Sequence, residues 1–135
     1  MSNALYDFGR EGFLDGSIDW DTNTIKCVLI DTADYTVNLT THDNLDDVAA
    51  GARVGTPQTL GSKTVTAGVA DAADVTFTAV TGDPCEAIII WKDTGVESTS
   101  RLIAYIDSAT GLAVTPNGGD IVIAWSSGAS KIFKL

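Results

Sequence analysis

From residue 25 onward, short apolar runs alternate with clusters of turn-forming residues, a rhythm that predicts strands. Residues 25–30 are apolar and β-branched and stop at the turn cluster Asp31-Thr-Ala-Asp34. Residues 35–39, Tyr-Thr-Val-Asn-Leu, alternate apolar with polar and read as a half-buried strand. Residues 43–48 suit one helical turn, with Asp43 as cap and acids in the first turn. Residues 51–73 are small and polar, with only residues 63–66 suggesting a short strand. In residues 74–80 the alternation sends Val75, Phe77 and Ala79 inward, before a turn at Gly82-Asp-Pro84. Residues 87–92, Ala-Ile-Ile-Ile-Trp-Lys, read as a central strand buried on both faces, and residues 102–106 as its hairpin partner across the loop 93–100. After the turn signal Thr115-Pro-Asn-Gly-Gly-Asp120, strands follow at 121–125 and 131–135.

The first 24 residues break this pattern. Residues 3–15 have a helical flavour: Asn3 is placed to cap, and Leu5, Phe8 and Phe13 share a face. Gly9 and Gly12 oppose it, each costing about 1 kcal/mol against Ala inside a helix. The expected fold is therefore all-β: a single β-sandwich or jelly-roll-like domain over residues 25–135. Residues 1–24 form a short N-terminal helix or arm that packs on the core or extends from it.

Composition narrows the function. At 135 residues the chain fits one domain, and no apolar run approaches the ~20 residues a membrane span needs. The N-terminus lacks the basic start and apolar segment of a secretory signal, so synthesis in a cytoplasm is expected. The net charge is −10, concentrated in residues 1–50, where ten acids face only Arg10 and Lys26. Such a surface repels phosphate, which argues against nucleic acid and anionic membranes as partners. Cys27 and Cys85 lie in or beside apolar runs and are expected to be reduced, buried thiols.

No catalytic constellation stands out, so the chain is read as no enzyme. His42 is the lone histidine, and two separated cysteines cannot complete a zinc site. The run Asp19-Trp-Asp-Thr-Asn23 opens like a calcium loop, but Thr24 and Ile30 stand where the EF-hand needs Gly and Glu. No cofactor or metal is therefore assigned. Three stretches end alike, at Asp31-Thr-Ala, Asp93-Thr-Gly and Asp107-Ser-Ala, which reads as turn chemistry at sheet exits. Leu5, Tyr6, Phe8, Phe13 and Trp20 gather in the acidic N-terminal region. Aromatic anchors there either fold back on the body or dock on a partner, and these five are the candidate contacts.

The segment Ala4-Leu-Tyr-Asp-Phe-Gly-Arg-Glu-Gly-Phe-Leu-Asp-Gly-Ser-Ile-Asp-Trp-Asp21 resembles the opening of small virion proteins of tailed bacteriophages. Similar too are Val28-Leu-Ile-Asp-Thr-Ala-Asp-Tyr35, Lys92-Asp-Thr-Gly95 with Glu97-Ser-Thr-Ser100, Leu102-Ile-Ala-Tyr-Ile-Asp107, the turn at 115–120 and the ending Lys131-Ile-Phe-Lys-Leu135. The resemblance implies a head decoration, or cement, protein on the capsid exterior, made in the bacterial cytoplasm. Its implied partners are the major capsid protein and itself, as a trimer or dimer. It brings no catalytic residues. Two other readings are a tail or head-fibre component and, from another class, a carbohydrate-binding module with Trp20 as its sugar platform.

Overall fold

The computed structural model describes residues 3–135. It is mostly β, with three antiparallel sheets and one short helix. Strand β1 (Ala4–Leu5) leads into helix α1 (Asp7–Asp15), then β2 (Ile25–Ile30), β3 (Arg53–Thr59), β4 (Thr64–Thr66), β5 (Val69–Asp71) and β6 (Val75–Phe77). There follow β7 (Ala87–Lys92), β8 (Leu102–Ile106), β9 (Ile121–Ile123) and β10 (Phe133–Lys134). The main sheet runs β1-β8-β7-β2-β3, the second β10-β5-β4, and the third pairs β6 with β9.

The centre of the main sheet is apolar on both faces, as the unbroken run in β7 requires. Ile88 and Ile90 point to one side with Ile25, Cys27 and Leu29; Ala87, Ile89 and Trp91 point to the other with Val28 and Ile30. The first side is covered by strands: Val75 and Phe77 of β6, Ile121 and Ile123 of β9, and Ala70 of β5. The second is covered by irregular chain, through Tyr35, Leu45, Val48 and Ala52. Each fully buried isoleucine contributes about 1.5–3 kcal/mol relative to exposure, so the three in β7 anchor both layers.

Several expectations change here. Residues 35–39 alternate in burial but form no ladder; Tyr35, Val37 and Leu39 point inward from extended coil. Residues 43–48 do contain a helical turn, of 3-10 type, at Leu45–Asp47. The stretch 51–73 holds β3 and β5 besides β4. Pro57 falls within β3, an edge strand where the missing N–H leaves no gap in a ladder. β6 ends at Phe77, so Ala79 is exposed and adopts positive φ rather than facing the core. Leu5 belongs to β1, not the helix, and Tyr6 takes the N-cap position. Asn3 instead accepts from the backbone N–H groups of Asp107 and Ser108, closing the third of the Asp-Thr/Ser turns. At the other two, Asp31 accepts from Ala33 and Asp93 from Gly95.

The helical glycines have a packing reason. A Cβ on Gly9 would lie 2.8 Å from the Leu102 carbonyl oxygen and 2.9 Å from the Ile103 Cα and oxygen. The helix backbone thus rests directly on β8. At Gly12 the obstacle is the Ile18 side chain, which can turn aside. Arg101 secures the same helix, donating to the Phe8 carbonyl at 3.1 Å with its guanidinium 5.9 Å from the Phe8 ring.

Arg53 holds the irregular layer. Its guanidinium donates to the carbonyls of Leu45 (3.0 Å) and Val48 (2.6 and 3.0 Å), and grips Glu97 through both carboxylate oxygens at 2.8 and 3.0 Å. These bonds fasten the chain around 45–48 to β3 and to the 97–99 turn. Glu97 is consequently held below its ordinary value of 4.5, by hydrogen bonding to Arg53 and then by its charge.

Two outcomes follow. Gly9→Ala lowers stability by about 1–3 kcal/mol despite its better helix propensity, and Gly12→Ala lowers it less, as read from denaturant midpoints. A neutral Gly9→Ala would refute the backbone contact. Because Glu97 is depressed in the fold, its stabilisation is complete above pH 4.5 and fades as pH falls through its lower folded value. Glu97→Gln therefore flattens the decline of stability below pH 4.5, measured by denaturation across that range.

Candidate interaction surface

The aromatic N-terminal segment resolves into buried and half-buried members. Leu5 is buried on the main sheet and Tyr6 is fully enclosed. The Tyr6 hydroxyl meets the Tyr35 hydroxyl at 2.7 Å, and Tyr35 in turn meets Nδ1 of His42 at 2.8 Å. Burial raises both phenols, Tyr35 to about 12 and Tyr6 further. Trp20 is 3% exposed, donates its indole N–H to the Asp71 carbonyl at 3.0 Å and meets the Phe133 ring edge-on at 5.2 Å. Phe8 and Phe13 are half-buried, the latter 5.6 Å from Phe133.

Three of the five expected contacts are thereby corrected. Leu5, Tyr6 and Trp20 fold back on their own chain, where the sheet offers more apolar surface than solvent does, and are buried there. Trp20 is likewise no exposed sugar platform, and Trp91 and Trp125 are buried as well. Phe8 and Phe13 retain partial exposure.

The groups with chemical potential are engaged or sequestered. Cys27 and Cys85 are buried free thiols. Burial pushes Cys27 up to about 12 and Cys85 to about 11, leaving little thiolate at neutral pH. Two trios of carboxylates, Asp31/Asp34/Asp83 and Asp43/Asp46/Asp47, lie close enough to share an ion. Within them Asp31 and Asp47 each accept from a local backbone N–H, as turn residues do. Asp19 and Asp21 are exposed and hydrogen-bonded to each other, which lowers the first and raises the second. No described helix is long and apolar enough to cross a membrane.

What sequence reasoning missed is an exposed apolar patch. Leu14 is 88% exposed, Leu135 60% and Val65 54%. Leu14 and Leu135 border one shallow depression with Leu5, Arg10 and Lys134. Leu135 and Val65 border the next, with Phe13, Trp20 and Phe133 at its base and Asp19 and Asp21 at its rim. On the other flank, a cleft of about 380 Å³ separates β1 from β10, lined by Arg10, Lys131 and Lys134. Arg10, Lys26, Arg53 and Arg101 pair with acids, and Lys63 and Lys92 reach backbone carbonyls. Lys131 and Lys134 are left without an ion pair among the described residues. Leu14 was discoverable: a leucine on the face of α1 opposite Gly9 has no core to enter. Val65 and Leu135 gave no such signal, because β5, which pairs with β4 and β10, was unread.

No protein-family model matches the chain, and no curated protein matches it.

Proposed function

We propose that this protein is a structural component of a tailed-phage virion, a decoration protein that binds the outer surface of the major capsid protein lattice and stabilises the DNA-filled head. The observation that carries the reading is the run of segments resembling small phage virion proteins. Those segments build the load-bearing part of the fold: 4–21 supplies β1, α1 and buried Trp20, 28–35 the second half of β2 and Tyr35, and 102–107 supplies β8. The likeness thus falls on β1, α1, part of β2 and β8, and leaves out most of β7.

Physical properties support the reading. We take the main sheet and the smaller sheets facing it as a β-sandwich of jelly-roll type, a stiff body suited to clamping neighbouring subunits against internal pressure. Many modest contacts repeated over a lattice add by avidity, so no single interface has to be strong. A net charge of −10 keeps the protein off packaged DNA. Sealed thiols and a hydrogen-bonded lone histidine leave the described residues without an evident nucleophile–base pair.

The test is made on virions. Purified particles should carry the protein in hundreds of copies, and particles lacking it should lose DNA at lower temperature or in chelator. A handful of copies per particle, or unchanged heat resistance without it, would contradict decoration and favour a tail or fibre component.

A further inference from the structure

We infer that the cleft between β1 and β10 is a strand-acceptor groove for an extended acidic segment of another protein, on geometry and charge that do not depend on the capsid reading.

Two sheet edges meet at this cleft. β1 ends the main sheet and β10 ends the second, and each is paired on one side only. Tyr6 donates to the carbonyl of Ile103, the residue opposite it, so alternation along the ladder turns the N–H and C=O of Leu5 away from β8. Leu135 likewise donates to the Gly68 carbonyl, which turns the N–H and C=O of Lys134 away from β5. Leu5 and Lys134 both line the cleft, so each edge brings it a main-chain donor and acceptor without a strand partner. The buried side chains of Leu5, Ala104, Ile106 and Ile132 give it an apolar floor. An edge of this kind takes up an extended peptide, with main-chain bonds supplying affinity and alternate side chains supplying specificity.

Charge selects the occupant. In a chain of net charge −10, Arg10, Lys131 and Lys134 gather at this one cleft. The other five cations each reach an acid or a backbone carbonyl. The side chains of Lys131 and Lys134 have neither among the described residues, and Arg10 meets Asp7 in an exposed pair at 3.2 Å, a contact worth little. Alternate residues of an inserted strand point to opposite faces. A segment with acids at every second place therefore sets them on the cations and its apolar residues on the floor. The groove runs on past Arg10 and Lys134 to the exposed Leu14 and Leu135, which a terminal apolar side chain would cover. A lysine on an edge strand also discourages indiscriminate pairing. Here the same charges admit an acidic strand and turn away a basic one. Nucleic acid and anionic bilayers present wider negative surfaces, which the remaining acids of the molecule repel.

The full chain is titrated against the fluorescein-labelled heptapeptide Leu-Glu-Val-Asp-Val-Glu-Leu and read by polarisation. The expected result is saturable micromolar binding that weakens with salt, with the Leu5 and Lys134 amides gaining protection from hydrogen exchange. Lys131→Glu with Lys134→Glu, on side chains that reach solvent, weakens binding at least tenfold at an unchanged unfolding midpoint. The same peptide N-methylated at its valines keeps its charge and loses binding, because one edge has lost its donors. No binding, binding indifferent to the lysine substitutions or to N-methylation, or equal binding of Leu-Leu-Val-Val-Glu-Glu-Asp would overturn the inference. So would lysine-dependent binding of polyuridylate or phosphatidylglycerol vesicles in place of the peptide, or self-association abolished by the lysine substitutions, which would put a second copy in the groove.

Discussion

Burial of the β2-β7-β8 ribbon on both faces is the constraint from which the rest of the structure follows. A strand with apolar side chains on each side must be covered twice, and a 135-residue chain has few elements with which to do it. One cover is made of strands, β5, β6 and β9. The other is made of coil and 3-10 turns from 35 to 52, an unusual choice because coil leaves backbone groups without ladder partners. Arg53 answers that need by supplying donors to the Leu45 and Val48 carbonyls, and its own charge is met by Glu97. The helix solves a related problem at the sheet edge, where Gly9 lets its backbone reach β8.

The same economy shapes the surface. Aromatics near the N-terminus are drawn inward to complete the two covers: Tyr6 joins the coil-covered face and Trp20 the strand-covered one. What remains outside carries a net charge of −10 and includes the exposed side chains of Leu14, Val65 and Leu135.

Much of the main sheet was legible from residue order. The unbroken run at 87–92 and its hairpin with 102–106 could be read because two-sided burial removes polar positions altogether. The alternation at 35–39 misled, since period-two burial arises in extended coil lying on a sheet as readily as in a paired strand. β3 was hidden by Gly55 and Pro57, tolerated only because β3 is an edge. Gly9 and Gly12 argued against a helix through propensity, whereas backbone contact with β8 and the fit of Ile18 decide those positions. Three candidate contacts turned inward for a kindred reason: Leu5, Tyr6 and Trp20 were recognised as anchors, but sequence cannot say whether an anchor docks on its own chain or on another.

Native-state hydrogen exchange tests the two-cover account most directly. Amides of β7, with those of Val48 and Ala52 that close the 3-10 turns of the coil cover, should exchange only through global unfolding, with equal opening free energies. If Val48 and Ala52 exchange through a smaller opening while β7 stays protected, the coil layer is a loose covering rather than half of the core, and the account is contradicted.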